Sequence, residues 1–286
     1  MLRQVDVKES EVISSAAIIN YVQERGFKNI ITIKKNSEGR LYIKEDGKIY
    51  IHTDEPSGEK IRFKNIKTGL LMAETLGKFH NAAEGFAQTT GIKVKVNWGR
   101  TMEKYRNLTV KIEKFSDYLQ RKEKLTTFEQ CTKEYVPILL KRAKASMKIL
   151  RSMNYIKALE NSMKRKEICI NEISKNTGVI SNNKLVITKI FDLGYNMVEE
   201  DLACLIKKLI EETGDKQMFE VIVNKYCEFR PLEEASKDII KALVSYPSDS
   251  IKVISKYMKN VDNGDELIEK FKRYVQIESK TDILGV

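Results

Sequence analysis

The feature that most constrains this chain is a switch of hydrophobic period. From Glu11 to Arg25 the apolar residues Val12, Ile13, Ala16, Ile19 and Val22 recur at three- and four-residue steps, and Gly26 follows where a helix commonly stops. Directly after it come three short runs of strand-forming residues, NIITIKK, GRLYIKE and GKIYIHT, separated by SEG and DG signals that favour tight turns. A helix followed by a three-stranded antiparallel sheet is predicted. PSGEKIRFKN breaks the pattern, and the helical period returns from about Ile66 to Ala83 with Leu70, Leu71, Ala73, Leu76 and Phe79 on its apolar face.

Helix dominates from there on. EGFAQTTGIKVKVN reads as a linker, and the stretch from Trp98 to about Lys166 as at least two helices around a break near Leu125 to Thr127, where a threonine can cap the second. Beyond Met197 four or five helices are predicted, punctuated by TGDK, RPLEE, YPSDS and VDNGDE, with ESKTDILGV frayed. The second half carries one β signal, EICINEI and KLVITKIF, two short strands joined by the polar loop SKNTGVISNN. A strand pair embedded among helices is a site-like feature.

Composition narrows the function classes. A chain of 286 residues with 42% hydrophobic residues can bury one large or two small cores. No stretch reaches the roughly 18 to 20 uncharged apolar residues of a membrane span, and MLRQVDVKESEV lacks the apolar core of a signal peptide, so the protein is expected to stay in the compartment where it is made. Cys131, Cys169, Cys204 and Cys227 lack the close spacing of a zinc site and are expected to be reduced, mostly buried thiols. The formal charge of +11 draws a protein toward acidic surfaces, but the lysines are interleaved with acids, and without a recognisable nucleic-acid module no nucleic-acid partner is expected. There is no Gly-x-Ser-x-Gly elbow for a hydrolase. Of the two histidines, His80 reads as a hydrogen-bonded packing residue and His52 as exposed. Phe115, Tyr118, Tyr226 and Phe229 fall at core spacing.

Several phrases, in order, carry a resemblance: NYVQERGF, ETLGKFHNAAEGF, NWGR, EEDLACLIKKL, KYCEFRPLEE and LVSYPSDSIKVISKYMKN. Together they resemble the bacterial spore-coat CotS family, whose members look like choline and aminoglycoside kinases. The resemblance implies an α+β protein-kinase-like fold, with residues 1–65 as a truncated N-terminal lobe of a helix and small antiparallel sheet and residues 66–286 as a large helical C-terminal lobe. In such folds a glycine-rich hairpin covers the nucleotide and a strand lysine pairs with its phosphates. Nothing glycine-rich precedes Lys8, the one candidate for that lysine.

The family's catalytic loop resembles a Cys-His-x-Asp run followed by an Asn. Matched to Cys169–Thr177, it puts Ile170 at the histidine, Glu172 at the base and Thr177 at the metal-holding Asn. The second metal ligand, counted back twelve residues from Asp201-Leu202, falls on Lys189. A glutamate is one methylene too long for the base, and an ammonium repels magnesium, so the resemblance implies a pseudokinase with no cofactor and no metal. It also implies a structural protein made in the mother-cell cytoplasm, deposited in the spore coat, with other coat proteins as partners. A register three residues on would instead give a phosphotransferase for a small hydroxylated substrate, with Glu172, Asn176 and Asp192 as its working groups. Without the family, Glu172 is a solvated loop carboxylate.

Overall fold

The structure, a computed structural model, describes residues 1–260 and 264–286. These form two compact units, Met1–Trp98 with Leu159–Leu209 and Gln217–Leu232, and Gly99–Ala158 with Ile210–Lys216 and Glu233–Val286. The division expected between residues 65 and 66 falls inside the first unit.

The chain opens with β1 (Leu2–Val5), α1 (Glu9–Glu24), β2 (Ile33–Lys34), β3 (Ile43–Glu45) and β4 (Lys48–Thr53). β4 is the hub of the first sheet: β1, β2 and β3 all pair with it antiparallel. Ile49, Ile51 and Thr53 point into the core while Lys48 and His52 are exposed, the two-residue alternation of a half-buried strand. The three predicted strands are present; β1 was not predicted, since nothing in LRQV alternates. α1 stops at Gly26 as expected. Gly26 sits at φ 91°, its N–H donates to Gln23 O and that of Phe27 to Val22 O, and Val22 and Phe27 bury together, which is a Schellman stop.

There follow β5 (Glu59–Lys60), α2 (Ile66–Ala83), β6 (Lys95–Val96), α3 (Arg100–Arg121), α4 (Thr127–Lys133), α5 (Tyr135–Leu150) and α6 (Met153–Arg165). Asn65 caps α2 by accepting from Thr68 N–H at 3.0 Å. The buried face of α2 is wider than its apolar stripe, taking in Met72, Ala73, Leu76, Phe79, His80 and Ala83 and leaving Leu70 and Leu71 half-buried. The segment read as a linker holds β6, whose two-residue parallel pairing is too short for periodicity to reveal.

The remaining elements are β7 (Ile168–Cys169), β8 (Gly178–Ser181), β9 (Lys184–Ile187), β10 (Gly194–Tyr195), α7 (Val198–Thr213), α8 (Met218–Cys227), α9 (Ser236–Ser245), α10 (Ser248–Tyr257) and α11 (Gly264–Lys280). Of the VDNGDE break, residues 261–263 lie outside the described residues. The second unit is helical around Phe115, Phe128, Tyr257 and Phe271, with the rings of Phe128 and Tyr257 stacked 4.3 Å apart. Its α4 starts on the expected threonine: Thr126 Oγ accepts from Glu129 N–H while Glu129 accepts from Thr126 N–H, a reciprocal capping box.

The C-terminal segment is ordered rather than frayed. Glu278 is buried and accepts from the N–H groups of Asp249 and Ser250 at 2.8 and 3.0 Å, so its carboxylate caps the positive end of α10. Two further expectations need correction. Only Cys169 is buried among the four free cysteines; Cys131, Cys204 and Cys227 are half-buried. Phe115 and Tyr226 are core residues, but Tyr118 is exposed, its hydroxyl donating to Glu129, and Phe229 is half-buried beneath lysines.

Candidate functional site

The site-like feature of the second half is built from two small sheets. β7 pairs antiparallel and β6 parallel with β10. A Cβ at Gly194 would fall 2.6 Å from Lys95 O, so this close strand approach requires glycine there. β8 and β9 form a hairpin whose turn residues Asn182 and Asn183 have φ of 49° and 56°, the left-handed pair that asparagine tolerates, and β5 adds to its edge. The two strands expected to pair therefore do not: the partner of β9 is GVIS, from within the polar loop, and that of β7 is β10. Val179 and Ile180 supply the strand-forming residues, and the Asn-Asn turn sets the register. Two loops result, 170–177 leading from β7 to β8 and 188–193 leading from β9 to β10.

The inner side of the first loop is hooked to Asp201, in the first turn of α7. Ile170 N–H and Asn171 N–H donate to its two carboxylate oxygens at 2.7 and 2.8 Å. His80 Nε2 lies 3.0 Å from the same carboxylate and His80 Nδ1 2.9 Å from the Tyr226 hydroxyl. A carboxylate can only accept, so Nε2 carries hydrogen, and in the neutral imidazole Nδ1 accepts from Tyr226. All three side chains are buried, and burial pushes the Tyr226 hydroxyl well above its ordinary pKa. His80 is thus the hydrogen-bonded packing residue expected. Cys169 Sγ lies close to His80 and Asp201, but burial raises its thiol well above the usual range and the S–H donates to Asn196 O, so the trio is a hydrogen-bonded anchor without a thiolate.

Asn171 ties the two loops together. Its backbone is left-handed at φ 66°, and its Nδ2 donates to Cys169 O at 3.1 Å and to Asp192 O at 2.8 Å, while Oδ1 accepts from Asn196. Below the loop the buried Glu167 accepts from Arg230 at 2.6 Å and from Arg165 at 3.0 Å. Burial alone would raise the Glu167 pKa; the Ser162 hydrogen bond and the two guanidinium charges outweigh it and hold the carboxyl below its ordinary value.

On the outer side stand Glu172, Lys189 and Asp192. The Lys189 ammonium bridges the two carboxylates, 3.1 Å from Asp192 Oδ2 and in direct contact with Glu172, while Lys95 approaches Asp192 at 3.4 Å. Burial pulls the Lys189 pKa down, but the bonds to Glu172 and Asp192 outweigh it and raise it. Glu172, with 62% of its side chain exposed, is a solvated loop carboxylate that is also ion-paired. The other candidates lie elsewhere. Thr177 is buried, its hydroxyl accepting from Ser174 N–H at 2.8 Å and donating to Glu172 O; Ile170 is buried, contributing its main-chain N–H. Asn176 is exposed with its N–H donating to Ser174 Oγ, and Lys8 is exposed at the start of α1, outside any strand, with its N–H donating to Glu11. Asp201, His80, Asn171 and Lys95 were not singled out as partners from sequence; Asp201 served only as a counting landmark.

Superposition of the whole chain places it among kinase-like phosphotransferase folds. An aminoglycoside phosphotransferase from Alicyclobacillus acidocaldarius superposes with a TM-score of 0.82 at 15% identity, over 98% of this chain and 83% of that one. A microcompartment-associated aminopropanol kinase gives 0.61 at 10% identity over 99% and 86%. Choline kinase from Cryptosporidium parvum gives 0.51 at 11% over 99% and 81%. At these identities the likeness is one of fold. Over residues 1–283 the sequence matches the family described as "Spore coat putative kinase YutH", and the chain belongs to that family. No curated protein sequence matches it. The spore-coat resemblance and the helix-dominated α+β kinase-like class therefore both hold. Among the described residues no helix is long and apolar enough to cross a membrane.

Proposed function

We propose that this member of the spore-coat YutH family is a pseudokinase, a non-catalytic scaffold that works through protein–protein contacts in coat assembly. The observation that carries the reading is the Lys189 ammonium seated between Glu172 and Asp192. Those carboxylates are the only groups of the outer cluster with the oxygen chemistry a magnesium ion demands, and both are already neutralised by a cation fixed to the chain. The Thr177 hydroxyl, at the position the family resemblance gives to a metal-holding Asn, is committed to its own loop. The donor set therefore does not suit a divalent metal, and phosphoryl transfer depends on metal neutralisation and positioning.

Location in the coat, synthesis in the mother-cell cytoplasm and coat proteins as partners rest on the family. No nucleic-acid partner is proposed. The competing reading, a phosphotransferase for a small hydroxylated substrate, is favoured by the convergence of Glu172 and Asp192 on one point, where a strong enough divalent cation would have to displace the ammonium. Melting curves with ATP and magnesium decide between them: a ligand well above its dissociation constant raises the melting temperature by linkage, and no rise is expected here. Steady ATP turnover that disappears in Asp192→Ala would sink the scaffold reading.

A further inference from the structure

A second concave feature of the first unit shares no residue with the Glu172–Lys189–Asp192 cluster. It is a groove of about 750 Å³ where the segment after α1, the second half of α2, the start of β9 and the segment after α8 meet. Its volume falls in the range of roughly 300–1,000 Å³ typical of specific ligand sites. The Schellman stop at Gly26 makes it, turning the chain so that Phe27 and Ala82 form an apolar floor beside Phe229.

The rim is cationic. Arg25, Lys28, Lys78 and Lys184 line it against one carboxylate, Glu74. That carboxylate is already bound to Lys78 at 2.6 Å and approached by Lys225 at 3.8 Å. Arg25, Lys28 and Lys184 are exposed, and the Lys28 ammonium spends one N–H on Gln23 O and keeps two for a ligand. The field over the floor is therefore positive, and burial of an anionic ligand would be rewarded at the rim rather than at the base. Phe229 already carries the Lys78 and Lys225 ammonium groups, 4.7 and 5.0 Å from its centroid, which compete with a nucleobase for stacking on that ring.

We infer that this groove docks an acidic peptide segment of a partner protein: one apolar side chain on the Phe27–Ala82 floor, flanked by carboxylates on Lys28, Lys184 and Arg25. The inference is independent of whether the protein transfers phosphate.

The test is fluorescence anisotropy with a labelled peptide of mixed Asp and Glu around one central phenylalanine, on the full chain. Binding should weaken about tenfold or more in Lys28→Glu with Lys184→Glu, and by less than about twofold in the control Lys114→Glu with Lys124→Glu, which changes net charge equally from exposed positions in the second unit. Melting temperatures of both variants should match the parent. Replacing the peptide's phenylalanine with glycine should weaken binding about fivefold or more. Equal losses in the two variants, indifference to the phenylalanine, or displacement by inorganic tripolyphosphate as effective as by unlabelled peptide would each overturn the docking site. Tighter binding of a single-stranded oligonucleotide than of the peptide would do the same.

Discussion

The two sides of the 170–177 loop are held by different kinds of bond. On the inner side Asp201 receives two main-chain N–H groups and a histidine in a place water does not reach. On the outer side Glu172, Lys189 and Asp192 are joined by ion pairs that solvent touches, with side-chain exposures of 62, 22 and 33%. Removing a partner inside strands buried polar groups and costs their desolvation; removing one outside lets water fill in. The inner side should set whether the loop exists, and the outer side what it can bind.

The largest expected effect breaks the inner hook. Asp201→Ala leaves two loop amides and His80 Nε2 without their partner and should cost about 3–5 kcal/mol in urea unfolding, in line with severed buried charge networks. A loss below about 1 kcal/mol would erase the contrast between the two sides.

Asn171→Ala comes next, at about 2 kcal/mol in the same assay, because alanine resists the left-handed backbone and cannot bond Cys169 and Asp192. Asn171→Gly restores the backbone freedom alone and should recover part of that loss.

Acid sharpens the comparison through its sign. The Glu167 pKa is depressed in the folded state, so its contribution is full above the ordinary carboxylate value of about 4.3 and is lost as pH falls through its folded value. Lys189 is raised, so what it contributes is full below about 10.4 and is lost only as pH rises through its own folded value. Melting curves from neutral to acid pH should show a drop below about pH 4, shared with the depressed carboxyl of Glu129, that Glu167→Gln lessens and Lys189→Met leaves in place.

The smallest stability change belongs to Lys189→Met, expected within about 1 kcal/mol of the parent because the pairs it breaks are partly solvated. Its informative readout is metal binding. With the ammonium gone, Glu172 and Asp192 should bind manganese detectably by electron paramagnetic resonance, where the parent should not. Equal manganese binding by parent and variant would contradict the electrostatic basis of the pseudokinase reading.

What the sequence revealed follows the reach of each interaction. The stop of α1 at Gly26, the cap at Thr126 and strands β2 to β4 are local, decided within a few residues, and periodicity and turn chemistry found them. β6 escaped because two residues have no period, and β1 because its pairing with β4 spans some fifty positions, from Leu2 to His52. At the site, counting along the chain set Lys189 and Asp192 as rivals for one place. In the fold they are neighbours in one ion-paired cluster, since they stand three positions apart on a single loop. The hook was out of reach of pattern: Ile170 meets Asp201 31 residues away, and His80 meets it across 121.

The hook to Asp201 has a consequence for how such a chain can change over generations. Every amino acid except proline brings the same amide hydrogen, so Asp201 holds position 170 without regard to what side chain stands there. A lineage can therefore exchange the side chain at position 170, within what the surrounding core can pack, without losing the bond that fixes the loop.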